Sequence, residues 1–379
     1  MNLRSTIKYF SNNRSHLKRF IGTRINTSKF YLPGYERSFL PQVIYIVLNG
    51  RCNLKCMMCD VGTHTRDTSF YDKLALHKDD FDLDRLKAFI DSVQHFKPLI
   101  SFTSTEPLLY KGLIEIAHYI KNRNLNLSIT TNGYLLPKFA EEFVNTGVDS
   151  ISISLDGPPK VHNKIRGISD SFEKAIDGLE RIESLKKKYN KKHPLVSINY
   201  TIIEYNSDQL VSFINYMDKY DVALYTFSHS NFVTTEMSDL HNTKFGHIGH
   251  SRPTCITNTN FNKIDYEELS NQILHIKKTK SNLPVLFVPD FNNAEEIDVY
   301  YMNHTKKFGN RTCFVPWKYA QILVNGDVTV LTRCFDVTFG NIFKNEFENI
   351  WNGSRMKTFR SALKKNSYFP ACLRCCGLF

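Results

Sequence analysis

The sequence lacks the features that mark a membrane protein, an exported protein or a repeat protein. No apolar run approaches the ~18 residues that a membrane span needs, and the N-terminus has no apolar signal-peptide core. Neither an internal repeat nor a low-complexity tract occurs in the 379 residues. Apolar residues make up 42% of the chain, which is ample for a folded core. We therefore expect a cytoplasmic protein with one large domain and one smaller domain.

Negative charge is scarce at the N-terminal end. Residues 1–42 hold eight Lys or Arg against a single acid, Glu36, and the chain carries a net charge of +12. Five apolar residues of this extension fall near one helical face: Leu3, Ile7, Phe10, Leu17 and Ile21. We expect a helix that packs across the bottom of the main domain with its charges solvated. The alternative is a basic amphipathic helix on an anionic membrane surface or an acidic substrate. Nucleic acid is the least favoured partner, because no stacking aromatics interrupt a basic groove motif.

Disulfides are not expected, although the chain has nine cysteines. Most of them are clustered, which fits metal ligation in a reducing cytosol better than disulfide bonding. The first cluster, Cys52, Cys56 and Cys59, has spacings of three and then two residues and no fourth cysteine nearby. Three thiolates can hold three corners of a four-iron cluster, which normally has four cysteine ligands. One iron would then be open to a small molecule. Zinc is the alternative, but zinc sites usually use paired C-x2-C units.

The sequence around these cysteines resembles the radical S-adenosylmethionine (SAM) enzymes. Residues 43–48 are a short apolar run that predicts a buried strand, Asn49-Gly50 ends it, and Cys52 follows. The family has its C-x3-C-x2-C motif in the loop after the first strand of a partial (β/α) barrel. The resemblance implies a [4Fe-4S] cluster whose open iron chelates SAM, and an electron donor such as flavodoxin or ferredoxin. Reductive cleavage of SAM would release a 5′-deoxyadenosyl radical, which abstracts hydrogen from the substrate.

The remaining pattern predicts an α/β protein. Six strands are expected at residues 43–48, 98–102, 125–130, 149–155, 196–203 and 223–227, with helical stretches between them. The predicted fold is a partial (β/α)6 TIM-like barrel followed by a small β-hairpin plus helix cluster-binding domain. The expected organisation is a basic N-terminal extension (1–42), the barrel (43–235), a linker with a substrate-side loop and a helix (236–310), and the auxiliary domain (311–379). Site residues should follow the strand ends, where active sites of such barrels lie.

The family resemblance assigns SAM contacts to residues after these strands. Glu106 and Pro107 match the family's Gly-Gly-Glu-Pro motif, while Ser104 and Thr105 replace its glycines. Glu106 is expected to hold the SAM ammonium through a charge-assisted hydrogen bond; the alternative is a solvated loop acid. Ser154 and Arg166 resemble the ribose and carboxylate contacts, Thr131 and Asn132 should lie near SAM or substrate, and Met58 takes the place of an aromatic beside adenine. For Arg166 the alternative is a surface salt bridge.

A second group of cysteines lies at the C-terminal end. Residues 321–330 predict a β-hairpin with its turn at Asn325-Gly326, which brings Cys313 towards Cys334. A helix at 346–363 then returns the chain to Cys372 and Cys375. The region resembles the SPASM/twitch auxiliary domain, in its shorter form with a second [4Fe-4S] cluster on these four cysteines. Cys376 is the alternative to Cys375, and structural zinc is the alternative to the cluster.

The predicted function follows from the second cluster. A fully ligated cluster has no open iron for substrate, so its expected role is electron transfer. The leading hypothesis is oxidation of an alcohol on a polar small molecule, such as a carbohydrate, cyclitol or activated sugar. His229 is a candidate proton acceptor, with a structural histidine as its alternative. Cys255 is a candidate hydrogen donor for epimerisation, with a bystander thiol as its alternative.

Two other classes of function stay open. One is a peptide maturase, which the short segment before the first strand disfavours, since such enzymes often carry an N-terminal recognition domain of about 80 residues. The other is a non-enzymatic iron–sulfur or zinc protein that binds nucleic acid.

Overall fold

The computed structural model shows a mostly parallel sheet, with helices in the connections between its strands. It describes residues 21, 25, 27–75, 79–254, 259–279, 283–308, 312–330, 333–334 and 336–375. The strands are β1 (Val43–Ile46), β2 (Leu99–Phe102), β3 (Asn126–Thr131), β4 (Ser150–Ser154), β5 (Leu195–Ile202), β6 (Leu224–His229), β7 (Val285–Val288), β8 (Tyr319–Ile322), β9 (Asp327–Thr329) and β10 (Gly340–Asn341).

The helices fill the connections. They are α1 (Ser69–Leu74), α2 (Leu83–Val93), α3 (Leu113–Asn122), α4 (Leu136–Thr146), α5 (Pro159–Arg166), α6 (Ser171–Lys188), α7 (Leu210–Met217), α8 (Thr235–Phe245), α9 (Tyr266–Thr279), α10 (Ala294–Met302), α11 (Val315–Lys318), α12 (Phe347–Trp351) and α13 (Ser354–Asn366). In the part of the chain that the structure describes, none of the helices combines the length and apolarity needed to cross a membrane.

All ten strands form one sheet. Their order is β10-β9-β8-β1-β2-β3-β4-β5-β6-β7, and every pair from β8 to β7 in this order is parallel. The pairs β8–β9 and β9–β10 are antiparallel. Because consecutive parallel strands need a crossover, the helices between them cover the sheet, as in a partial barrel. The carboxyl ends of β1 to β6 therefore lie at one edge of the barrel.

The local sequence explains these elements. Buried and partly exposed residues alternate along β5, and its buried Val196, Ile198, Tyr200 and Ile202 belong to the main hydrophobic core. Asp82 caps the N-terminus of helix α2, because its carboxylate accepts the backbone N–H of Arg85. Gly147 follows the last residue of helix α4 and adopts the left-handed conformation that favours glycine at this position. The burial alternation along β5, the cap of α2 and the glycine after α4 therefore all favour the secondary structure that is observed.

The predicted α/β fold class is confirmed, and several elements differ in detail. Strand β7 and helices α8 and α10 lie within residues 235–310, where the sequence indicated only a loop and one helix. The run Val285–Val288 is as long as β1 and β2 and is bounded by prolines, so that the sequence does carry a strand signal there. The single helix expected at 346–363 is two helices, α12 and α13, separated at Asn352 and Gly353.

The auxiliary hairpin is attached to the barrel rather than lying apart from it. Strand β8 pairs with β1 in parallel register, so that Tyr45 lies opposite Gln321. The N-terminal extension packs against the same region, because the indole N–H groups of Trp317 and Trp351 donate to the carbonyls of Tyr35 and Phe39. The predicted amphipathic segment lies outside the described residues except for Ile21.

Candidate active site

A cavity of about 300 Å³ lies at the carboxyl ends of the barrel strands. Its wall includes all three cysteines of the first cluster, Cys52, Cys56 and Cys59. It also includes the six residues expected to contact SAM: Met58, Glu106, Thr131, Asn132, Ser154 and Arg166. These nine residues come from five separate stretches of sequence, and the fold brings them to one place.

The cysteine loop is held by the end of helix α5. The backbone N–H groups of Lys55 and Met57 donate to the carbonyls of Arg166 and Ile165, at 3.1 and 3.0 Å. Gly62 lies so close beneath the loop that a Cβ atom there would be 2.5 Å from the backbone nitrogen of Cys56. The loop conformation therefore depends on neighbours outside the motif itself.

Burial keeps the Cys52 and Cys56 thiols protonated when no metal is bound. Burial raises the pKa of Cys52 to about 11 and that of Cys56 to about 12. Because thiolates are the metal-binding form, these cysteines release protons when iron binds. Among the described residues, no three His, Cys, Asp or Glu side chains converge enough to hold a single ion. A four-iron cluster does not require such convergence, since its cysteines ligate separate irons.

Glu106 is a buried carboxylate in a cradle of donors. Its Oε1 accepts the Thr131 hydroxyl at 2.7 Å and the backbone N–H of Leu108 at 3.0 Å. Its Oε2 accepts the backbone N–H of Asn132 at 2.8 Å. Burial raises the pKa of Glu106 to about 7, although the Asn132, Thr131 and Leu108 hydrogen bonds oppose this shift. Glu106 is thus not the solvated loop acid of the alternative interpretation, and a cationic ligand would favour its charged form.

Arg166 forms a buried ion pair rather than a surface salt bridge. Its Nη2 lies 2.5 Å from Oδ2 of Asp156, and its Nη1 lies 3.6 Å from Sγ of Cys56. Burial alone would lower the pKa of Arg166, but Asp156 and Cys56 raise it overall. The guanidinium Nε is buried and has no hydrogen-bond partner in the described part of the chain. One donor of Arg166 therefore remains for a ligand in the cavity.

The turn after β3 is shaped by Asn132 and Gly133. The Asn132 side chain donates to Oδ1 of Asn53 at 2.8 Å, which ties the turn to the cysteine loop. Gly133 has φ +82°, and a Cβ atom there would lie 2.6 Å from Cβ of Ala175. Glycine is required at this position both by the backbone conformation and by the contact with α6.

Ser104 keeps a conformation that normally favours glycine. Its φ is +91°, which for a residue with a side chain costs about 1–3 kcal/mol. Its hydroxyl accepts a hydrogen bond from Nε2 of Gln321 at 3.0 Å. The residues that replace the family's glycines are thus accommodated by strain at Ser104, and Thr105 bonds the Asn49 carbonyl at 2.6 Å.

The structure does not bring His229 to the cavity wall. His229 is fully buried among Phe291, Tyr300 and Tyr301, and its Nδ1 lies 3.0 Å from the Tyr301 hydroxyl. Burial lowers its pKa to about 3. Ser230, directly after β6, lines the cavity instead, because neighbouring residues of an extended chain point to opposite sides. Cys255 lies outside the described residues, between Thr254 and Thr259, which both line the cavity.

Several lining residues were not predicted from the sequence. Thr201 and Ser230 lie at the ends of β5 and β6, so that the strand-end rule contained the signal for them. Asn231, Phe232 and Arg333 come from loops that carry no motif. Only the tertiary fold brings these three residues to the wall.

The C-terminal cysteines meet as the hairpin pattern predicted. Cys313, Cys334, Cys372 and Cys375 are all buried, and the Cys334 and Cys372 side chains form a hydrogen bond. The backbone N–H of Cys375 donates to the carbonyl of Cys372 at 3.0 Å, which closes the C-x2-C turn. Four buried thiols that lie near one another fit a cysteine-ligated cluster. Cys376 lies outside the described residues.

A second cavity, of about 410 Å³, adjoins the first cavity and reaches the C-terminal cysteines. It shares Thr103, Ser104, Asn231, Phe232 and Arg333 with the first cavity, and it reaches Cys334 and Cys375 at its other side. A molecule in the second cavity would therefore lie between the first cluster's loop and the C-terminal cysteines.

A partial barrel with an open three-cysteine loop, joined to a four-cysteine domain, defines an iron–sulfur protein that holds a ligand beside one cluster. The family comparison agrees with this class. The model of the radical SAM superfamily matches residues 46–217, and the SPASM iron–sulfur cluster-binding domain matches residues 313–376. Residues 46–217 belong to the radical SAM superfamily, and residues 313–376 form a SPASM-type domain. These two domains imply two iron–sulfur clusters, with SAM as a further cofactor.

Individual relatives show the range of chemistry in this family. Fe-coproporphyrin III synthase of Methanosarcina barkeri is 28% identical over 52% of this chain and 46% of its own length. A tungsten-containing aldehyde ferredoxin oxidoreductase cofactor-modifying protein of Pyrococcus furiosus is 22% identical over 88% of this chain and 86% of its own. This chain spans about half the length of several other curated relatives, including a GTP 3′,8-cyclase.

Solved structures share the fold. Streptococcus suis SuiB bound to S-adenosylmethionine superposes with a TM-score of 0.60 over 86% of this chain and 69% of its own, at 14% identity. At that identity the likeness concerns the fold alone.

Proposed function

We propose that this enzyme oxidises a hydroxyl-bearing carbon of a polar small molecule to a carbonyl. The observation that supports the proposal is that the two cavities adjoin each other. They share five wall residues, and the second one reaches Cys334 and Cys375. A substrate placed there would be close both to SAM and to the C-terminal cysteines. That arrangement suits a reaction in which a hydrogen atom leaves towards SAM and an electron leaves in the other direction.

Separate residues would bind the first cluster and the two charged groups of SAM. Cys52, Cys56 and Cys59 would hold the first cluster, which supplies one electron to SAM when it is bound and reduced by a donor such as flavodoxin or ferredoxin. Glu106 accepts the SAM ammonium, because its buried carboxylate lines the cavity and a cation there would favour its charged form. Arg166 donates its free Nε to the SAM carboxylate.

Four further residues would shape the SAM site. Thr131 and Asn132 orient Glu106 through their hydrogen bonds. Met58 and Ser154 line the same cavity, where a polarizable thioether suits the adenine and a hydroxyl suits the ribose.

The overall reaction balances in atoms and electrons. Bound SAM that has received one electron would supply the hydrogen acceptor, with breakage of its C–S bond and release of methionine. The 5′-deoxyadenosyl radical so formed would take the hydrogen atom from the carbinol carbon and leave as 5′-deoxyadenosine. The substrate then loses its hydroxyl proton to water and one electron, and a C=O bond forms. Cys313, Cys334, Cys372 and Cys375 would hold the cluster that supplies the acceptor for this electron.

His229 is not given the role of proton acceptor in this proposal. Its side chain is packed among aromatic residues and is not part of either cavity wall. Its depressed pKa makes it a neutral structural group at neutral pH.

The test uses anaerobically reconstituted enzyme, SAM, a chemical reductant and panels of sugars, cyclitols, activated sugars and short peptides. We expect an activated sugar, a sugar or a cyclitol to increase 5′-deoxyadenosine formation and to yield one trapped carbonyl per 5′-deoxyadenosine. The Cys334→Ala variant should still cleave SAM but form no carbonyl. Carbonyl formation that survives in Cys334→Ala would contradict the role of the second cluster. Stimulation by peptides alone would favour a peptide maturase, and an epimer in place of a carbonyl would favour a radical epimerase.

A further inference from the structure

The second cavity carries information about the substrate. It has a volume of about 410 Å³ and lies between the SAM cavity and the C-terminal cysteines. The inference rests on the proposed function, because it assumes that the substrate occupies this cavity. It concerns the part of the substrate that does not react.

Aromatic rings form much of the cavity wall. Tyr45, Phe70, Phe232 and Tyr319 all line it, and they come from β1, α1, the loop after β6, and β8. The rings of Tyr45 and Tyr319 meet edge to face, with centroids 5.8 Å apart. Aromatic side chains that line a cavity offer faces on which a planar unsaturated ring can stack. A compact polyol offers no such ring.

The guanidinium group of Arg333 lies where the two cavities meet. It lines both of them, its Nη1 donates to the carbonyl of Asn231 at 3.3 Å, and its Cζ lies 4.6 Å from the ring centroid of Phe70. The other arginine of the second cavity, Arg374, is committed to backbone carbonyls of residues 299–306. The planar fork of an arginine suits a carboxylate or a phosphate.

Acidic groups on the two cavity walls are restricted to Glu106 among the described residues. Because that carboxylate is already held by three donors, it does not oppose an anion near Arg333. The site therefore combines aromatic faces with a cation and with little negative charge.

Gln321 adds a hydrogen-bonding group to the same wall. Its Nε2 donates to Ser104, while its buried Oε1 has no partner in the described part of the chain. The side chain is more than nine-tenths buried. A buried carbonyl oxygen without a donor is costly, so a ligand N–H or O–H at this point would be favoured.

We propose that the substrate is a planar ring joined to an anionic group, with the ring stacked among Tyr45, Phe70 and Tyr319 and the anion at Arg333. Among the substrates considered above, an activated sugar that carries a nucleotide meets this description, whereas a free sugar or a cyclitol does not. An aryl carboxylate has the same chemistry. For a nucleotide-activated sugar, the anion at the junction places the reacting carbon of the sugar on the SAM side.

The test measures binding of four probes to the reconstituted enzyme with SAM present, by calorimetry. Uridine 5′-monophosphate joins a ring to a phosphate, and 3-(4-hydroxyphenyl)propionate joins a ring to a carboxylate. Uridine has the ring without the anion, and glucose 1-phosphate has the anion without the ring. We expect one of the two ring–anion probes to bind at least about tenfold more tightly than uridine and glucose 1-phosphate. Which of the two binds identifies the nucleotide or the aryl acid as the source.

Variants test whether residues of the second cavity's wall bind the probes. Arg333→Gln should weaken binding of the preferred probe to about the affinity of its uncharged analogue. Tyr319→Leu should remove the higher affinity of the preferred probe relative to glucose 1-phosphate. Arg355→Gln, whose side chain bonds the Thr338 carbonyl away from both cavities, is the matched control. Iron content is measured for each variant, because Arg333 adjoins Cys334.

Three results would overturn the inference. They are binding of neither ring–anion probe, equal binding of glucose 1-phosphate, and full binding by an iron-replete Arg333→Gln variant. None of these results would affect SAM cleavage or carbonyl formation, so that a failure here is separate from a failure of the proposed function.

Discussion

The role of Glu106 can be tested by replacing it with glutamine. The carboxylate accepts three hydrogen bonds, and an amide group of the same shape can accept at only one of its two terminal atoms. Its NH2 group would face either Asn132 N–H or the Thr131 and Leu108 donors, at a cost of about 1–3 kcal/mol in free energy of unfolding. Loss of a buried negative charge offsets part of this cost above neutral pH.

The effect on SAM binding should be larger than the effect on folding. A charge-assisted hydrogen bond between Glu106 and the SAM ammonium contributes about 1.5–3 kcal/mol, so Glu106→Gln should weaken SAM binding roughly 10- to 150-fold. The assay is anaerobic calorimetry on reconstituted protein without reductant, with iron content measured alongside. Glu115→Gln is the matched control, since Glu115 is an exposed residue of α3 that pairs with Lys87 of α2.

The pH dependence gives an independent check. The folded protein holds a proton on Glu106 up to about pH 7, whereas the unfolded chain loses it near pH ~4.3. The free energy of unfolding without SAM should therefore fall as the pH rises from ~4.3 through 7. SAM affinity should change in the opposite direction, increasing up to about pH 7 and then levelling off, with proton release on binding. A Glu106→Gln variant that is fully loaded with iron and binds SAM within twofold of wild type at pH 8 would refute this reasoning.

Three further substitutions test other parts of the site. Gly62→Ala should push the cysteine loop away, since its Cβ would lie 2.5 Å from the Cys56 nitrogen. The iron content of the reconstituted protein should then fall by about half. Full iron loading of this variant would contradict the expectation. Asp156→Asn removes the partner of a buried arginine, and calorimetric unfolding should show a loss of about 3–5 kcal/mol; a loss under about 1 kcal/mol would argue against a buried pair. His229→Gln should leave SAM cleavage and carbonyl formation unchanged, and loss of turnover in a folded protein would restore His229 as a candidate catalytic group.

The barrel and the SAM cavity could be predicted because their signals are local. The strand before Cys52 shows a short apolar run, and each later strand ends in polar residues. Parallel strands place such ends at one edge, which is why Glu106 and Ser154 reach the same cavity although 48 residues separate them along the chain. The shared wall of the two cavities depends instead on long-range pairing. The contact of Gln321 with Ser104 follows from the β1–β8 register, which no local pattern encodes.

His229 illustrates the limit of the strand-end rule. The rule selects a position in the sequence, but the side of the strand that a residue faces depends on packing. The last residue of β6 packs against Tyr300 and Tyr301 from α10, and Ser230 faces the cavity. The position of α10 was not predicted, because the sequence analysis treated residues 236–310 as a loop and a single helix, without β7.

The most direct test of the account is the metal content of the reconstituted enzyme and of a Cys52/Cys56/Cys59 triple alanine variant. The account predicts about eight irons per wild-type chain and about four in the variant, with SAM cleavage lost. About four irons in wild type, together with about one zinc that the variant retains, would make the C-terminal site structural. That result would contradict the electron-transfer role on which the proposed oxidation depends.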